Sequence, residues 1–169
     1  MTSSDSVGTS SVSVGTTKRL RKELADIRKS PDCAANNITL ELKSENNLML
    51  WKATLIGPTD TPYAGGVFTL DINIGPEYPF KPPSIKFVQC NTRMFHPNVS
   101  ESSGDICVDI LKSNWSPALT LEKTMLSIVA LLQNPNPDDP LNSSAASLYK
   151  SSKTDFAKKV KEYITNGKK

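Results

Sequence analysis

Histidine is almost missing from this chain: His96 is the only one in 169 residues. Cysteine is scarce as well, with Cys33, Cys90 and Cys107 spread along the sequence. These four residues match no zinc-ligand spacing, so no metal site is expected. Three cysteines, an odd number in a chain this long, argue against a disulfide framework. They fit a reducing compartment, cytoplasmic or nuclear. No apolar run approaches the roughly 18 residues of a membrane span. The N-terminus has no charged start followed by an apolar block, so no signal peptide is expected. Neither GxxxxGK[ST] nor GxGxxG occurs, which sets direct nucleotide chemistry aside. Twenty Lys and Arg against 17 Asp and Glu give a net charge of +3, too mild to argue for nucleic acid as a partner.

What is present suits one domain with a tail. Residues 1–15 are rich in Ser, Thr, Gly and Val with one charge, Asp5. They lack the bulk to offset ordering entropy and read as a disordered tail before a domain over 16–169. Thr17 is a candidate cap for a helix running to about Lys29, with Leu20, Leu24 and Ile27 on one stripe. Its start is basic (Lys18, Arg19, Arg21, Lys22). That is either a solvated face or a docking surface for an acidic partner. Basic charge there opposes the helix dipole, which tilts the reading toward docking.

Alternating apolar residues then predict strands over Ile38–Leu42, Leu48–Ile56, Phe68–Ile74 and Ser84–Val88, joined by short turns. Thr120 is placed to cap a helix from Leu121 to about Gln133. Asn142 or Ser143 opens a short helix, and a last one covers about Lys153–Thr165. Helix, four strands in an antiparallel meander, then helices make an α+β fold.

The stretch Phe95–Trp115 carries the chemistry. Cys107 lies in Ile106-Cys107-Val108, and apolar neighbours usually mean a buried, inert thiol. The polar run Ser100–Asp105 just before it suggests instead a thiol reached from a surface loop, hence a nucleophile. A cysteine protease would need a histidine base. His96 is the sole candidate, and within His96-Pro97-Asn98 it reads rather as a loop-fixing residue. Tyr78-Pro79-Phe80-Lys81-Pro82-Pro83 is a stiff loop. Its rings either close the core or, if exposed, anchor a partner. Asp138 and Asp139, in a Pro-rich turn, would by themselves read as solvated acids.

Thr61-Pro62-Tyr63, Gly65-Gly66, the Tyr78–Pro83 loop, His96-Pro97-Asn98, Gly104-Asp105-Ile106-Cys107, Trp115-Ser116-Pro117-Ala118 and Pro137-Asp138-Asp139-Pro140 occur in this order. Together they resemble a ubiquitin-conjugating enzyme over about Thr17–Lys169. The resemblance implies the same α+β fold. It implies that Cys107 takes ubiquitin as a thioester from the ubiquitin-activating enzyme and passes it to a lysine amine. A thiolate is a good leaving group, which is why no histidine base is required. The incoming amine, ordinarily charged up to about pH 10.4, must lose a proton and be aimed. Asp139 aligns with the acid that does this, and Asn98 with an amide that stabilises the oxyanion or braces the loop.

Arg19 and its basic neighbours resemble the helix face that meets the activating enzyme and ligases. Phe80, Pro117 and Ala118 resemble the two-loop platform gripped by RING-type ligases. The implied partners are ubiquitin, the activating enzyme, a RING- or HECT-type ligase and protein substrates, with the protein a monomer. No cofactor is expected to bind directly, since ATP is consumed by the activating enzyme. His96 and Cys107 stand one residue further apart than in the commonest members. That spacing resembles a chain-building subgroup with a C-terminal ubiquitin-associated domain, although this sequence ends at Lys169 without one. Asn134 replaces a frequent acidic or small residue. No insertion separates Cys107 from Trp115, which favours ubiquitin over SUMO. The competing function classes are a non-catalytic ubiquitin-binding scaffold and a carrier of another ubiquitin-like modifier.

Overall fold

The computed structural model describes residues 12–90 and 92–166. Of the tail expected over 1–15, residues 1–11 lie outside this range, but Ser13 already caps helix α1 (Val14–Arg28). The helix therefore opens before Thr17. Ser13 is extended, and its side chain accepts from the Thr16 N–H at 3.0 Å. The buried Thr16 hydroxyl donates to Tyr78 O at 2.6 Å, which ties the first turn to the proline loop and favours this earlier start.

A second helix, α2 (Pro31–Ala35), was not expected. Ser30 caps it and Pro31 takes the first-turn position where a missing N–H costs nothing. The sequence places Ser-Pro there, and the same pair that stops α1 starts α2.

Four strands follow: β1 (Ile38–Ser44), β2 (Asn47–Ile56), β3 (Val67–Asn73) and β4 (Ser84–Phe87). They form one antiparallel sheet in the order β1-β2-β3-β4, as the alternation implied. Leu40, Ala53, Leu70 and Phe87 lie across from one another on the buried face. Each strand turns one side to the core and one to water. Among the described residues three further α-helices follow: α3 (Leu121–Gln133), α4 (Ser143–Ser151) and α5 (Lys153–Asn166). Thr120 and Asn142 cap the first two through their side chains. Leu121, Met125, Ile128 and Leu132 of α3 are buried, as are Phe156, Val160 and Ile164 of α5. No helix among the described residues is long and apolar enough to cross a membrane.

The long irregular stretch between β4 and α3 runs over the surface at one end and through the core at the other. Met94 to Val99 are all buried. That buried segment is the floor of the site.

Candidate active site

The floor is fixed by His96. Its ring is fully buried, with Nδ1 accepting from the Asn98 N–H at 2.9 Å and Nε2 2.9 Å from Leu131 O. A nitrogen that accepts a backbone N–H cannot carry a hydrogen, so the proton sits on Nε2 and is donated to α3. Burial holds the ring's pKa down at about 4, although the Leu131 bond pulls upward. His96 is a neutral strut with both nitrogens committed and is in no position to serve a nucleophile.

Asn98 is the next strut. Only 1 % exposed, it donates from Nδ2 to Asn136 O at 2.7 Å and to Asp139 O at 3.2 Å. Its Oδ1 accepts from the Asn136 N–H at 2.9 Å. The Pro97 carbonyl accepts from the Leu141 and Asn142 N–H groups. The floor thus grips the 134–142 loop at four residues. Asn136 carries two of these bonds and was not singled out from the sequence, where it is one polar residue in a Pro-rich turn.

Cys107 reaches the floor from the other side. Its N–H donates to Asn98 O at 2.8 Å, and Val99 and Ile106 form an antiparallel bridge. The Ser100–Asp105 loop closes this narrow hairpin. Gly104 turns it with φ of +76°, and its backbone packs so closely on Phe87 O that a Cβ would lie 1.9 Å away. Only glycine fits there. The hairpin brings Cys107 out half-exposed, while Cys33 is buried and Cys90 exposed elsewhere. Burial pushes the Cys33 thiol up, which marks it as inert.

Among the described residues the sulfur has two polar neighbours. The thiol donates to Asp139 Oδ2 at 3.5 Å, and Lys112 Nζ donates to the sulfur at 3.3 Å. So Cys107, Asn98 and Asp139 converge: the thiol and the carboxylate touch, the Asn98 side-chain amide holds the Asp139 backbone, and the Asn98 carbonyl holds that of Cys107. Lys112 was not expected. The 3-10 turn Asp109–Leu111 folds the chain back and returns Lys112 to the sulfur; a turn signal after Cys107 would have been the only clue.

This geometry has counterparts. The sequence pattern of the ubiquitin-conjugating enzyme family matches residues 19–164. The chain belongs to that family. Its fold is similar to a Toxoplasma gondii ubiquitin conjugating enzyme E2 domain, with 40% identity, a TM-score of 0.78, and coverage of 89% of this chain and 97% of that one. It is similar also to a Plasmodium yoelii protein assigned as a ubiquitin conjugating enzyme, with 43% identity, a TM-score of 0.79, and coverage of 89% and 93%.

In this conjugating enzyme the expected partner surface splits in two. Phe80 is 79% exposed on the Tyr78–Pro83 loop, and Pro117 and Ala118 are exposed on the next loop. Trp115 Nε1 donates to Pro79 O at 2.8 Å and so ties the two loops together. Tyr78, by contrast, is fully buried, so one ring of the loop closes the core and the other lies open. Arg19 behaves differently from a free docking cation. Its guanidinium donates to Pro117 O at 2.8 Å, to Leu119 O at 2.7 Å and to Glu23 Oε2 at 3.0 Å. Glu23 is 4% exposed and also accepts from the Leu121 N–H at 2.7 Å and from the Tyr78 hydroxyl. A buried carboxylate with three donors is a hub joining α1, both loops and α3. Sequence reasoning passed over it because an acid in a basic helix reads as an exposed ion-pair partner. Lys18, Arg21 and Lys22 remain exposed.

Proposed function

We propose that this enzyme carries ubiquitin as a thioester on Cys107 and delivers it to a lysine amine of a substrate or of another ubiquitin. The carrying observation is a half-exposed thiol 3.5 Å from the Asp139 carboxylate, with the only histidine locked in the floor. That arrangement fits acyl carriage better than proteolysis, which needs a free base at the nucleophile. The Cys107 sulfur attacks the thioester carbonyl presented by the activating enzyme, forms a new C–S bond and displaces that enzyme's thiolate. A lysine amine then attacks the same carbonyl, forms a C–N bond and expels the Cys107 sulfur.

Asp139 orients the amine and receives its proton on the way to solvent. Asn98 acts by bracing: both of its amide hydrogens are directed at loop carbonyls, which supports loop holding over a direct oxyanion contact. Ubiquitin, the activating enzyme, a RING- or HECT-type ligase and a lysine-bearing substrate are the partners of this reading. ATP is spent by the activating enzyme. The setting is the cytoplasm or nucleus.

A charging assay tests it. With ubiquitin, activating enzyme and ATP, wild type should gain one ubiquitin in a bond that reductant cleaves, and Cys107→Ala should gain none while keeping its circular dichroism spectrum. No adduct on wild type beside a working control enzyme would overturn the proposal. An adduct on the Cys107→Ala variant would move the carrier to Cys90 or Cys33.

A further inference from the structure

Two demands on the sulfur conflict. The Asp139 carboxylate lies 3.5 Å from Cys107 Sγ, where it suits an incoming ammonium. The same negative charge disfavours a thiolate at Sγ, and the sulfur must be a thiolate when it attacks and again when it leaves. Lys112 stands on the other side of the atom, its Nζ donating to Sγ at 3.3 Å. In the thiol form the three groups make a short chain, ammonium to sulfur to carboxylate, with each hydrogen placed. When the sulfur loses its proton, the Asp139 contact turns repulsive and the Lys112 contact becomes a charge-assisted hydrogen bond.

We infer that Lys112 is a further catalytic residue, whose ammonium offsets the Asp139 charge by stabilising negative charge on the Cys107 sulfur. The inference rests on Cys107 being the acyl carrier. During loading the charge is on Sγ at the start and passes to the activating enzyme's sulfur. During discharge it develops on Sγ as the amide forms, so the ammonium favours departure of the sulfur directly. The other acids close in sequence are placed differently: Asp138 pairs with Lys150 at 3.0 Å, and Asp109 lies in the turn that carries Lys112 back. Among the described residues, Lys112 and Asp139 are the charged groups hydrogen-bonded to the sulfur.

The first arm of the test needs neither ubiquitin nor the activating enzyme. In a Cys90→Ser background, the rate of iodoacetamide addition at Cys107 is followed across pH by peptide mass spectrometry. Lys112→Gln should slow the reaction at neutral pH on the order of fivefold and move its pH midpoint up. Asp139→Asn should do the reverse, and the double variant should return close to wild type. Lys112→Arg should keep most of the rate; because arginine is a poor acyl acceptor, it also separates the charge effect from acyl transfer to Lys112 itself. Parallel single-turnover discharge of charged enzyme onto free lysine should slow with Lys112→Gln and not with Lys112→Arg. An unchanged alkylation midpoint in Lys112→Gln would overturn the inference even if charging proceeds normally. Failure of wild type to charge, with the alkylation shifts intact, would overturn the carrier reading instead.

Discussion

Asn98 Nδ2 lies 3.2 Å from the backbone oxygen of Asp139, whose carboxylate lies 3.5 Å from the Cys107 sulfur. One buried amide therefore sets the position of the acid relative to the thiol. Asn98→Ala removes three hydrogen bonds between the floor and the 134–142 loop. The expected cost in stability is about 1–3 kcal/mol, since the Asn136 N–H and two carbonyls lose their partner. Discharge onto free lysine should fall on the order of a hundredfold, the scale of a misplaced reacting group. Loading should survive, because the Cys107 hairpin keeps its own backbone bonds. Single-turnover loading and discharge, measured separately, check the split; equal losses in both would mean that Asn98 serves the sulfur and not the loop.

Asp139→Ala should act on the same step without the structural cost. Asp139 is exposed, so its loss should leave the melting temperature within about 1 °C. Discharge onto free lysine should slow by at least about tenfold at neutral pH, and less at pH 9 to 10, where more of the amine is already uncharged. A pH-independent ratio of mutant to wild-type rates would leave Asp139 as an orienting group only.

Much of this was legible in the sequence, and the parts that were not share a cause. The strands showed because Phe68, Leu70 and Ile72 alternate with polar residues, and period two is a local signal. Helix α3 showed to the residue because Thr120 caps it and Asn134 ends it. The site residues came from a resemblance, not from periodicity: nothing local says that Asp139 meets Cys107 across 32 positions. What stayed hidden depends on where side-chain ends go after folding. Glu23 and Arg19 look alike on a basic helix, yet one is buried and the other crosses to the Pro117–Leu119 loop.

That crossing makes Arg19 testable as a brace. Arg19→Ala leaves Glu23 buried with a carboxylate short of its cation, and should cost about 2 kcal/mol, less than a fully buried pair because the Arg19 side chain is 25% exposed. Lys18→Ala, one residue away and exposed, should cost less than about 0.5 kcal/mol. Urea unfolding of both variants gives the comparison. If the two variants are equally stable, Arg19 is a surface charge after all.

Phe80 should show the opposite pattern. A ring that is 79% exposed contributes little to the fold, so Phe80→Ala should leave stability, loading and ligase-free discharge near wild type. Discharge stimulated by a RING-type ligase should fall by on the order of thirtyfold, the loss expected for one aromatic anchor. Retained stimulation across several RING ligases would take Phe80 out of the docking surface.

His96 sets a pH limit on the fold. Its pKa lies at about 4 in the folded protein against 6.5 for an unperturbed ring. The unfolded chain therefore binds the proton more readily between these values, and stability rises with pH through that window. The contribution is whole above about pH 6.5 and is lost as pH falls toward 4, at about 3 kcal/mol in total for the full shift. Protonation puts a hydrogen on Nδ1, which faces the Asn98 N–H, so the strut and the Asn98 floor fail together. Unfolding free energies from urea at pH 7.5 and 4.5 should differ by most of that amount more in wild type than in His96→Gln, whose uncharged side chain has no proton to gain. The carboxylates titrate in both proteins and cancel in the comparison. Equal pH slopes would mean that the ring is hydrated and free to charge in the folded state.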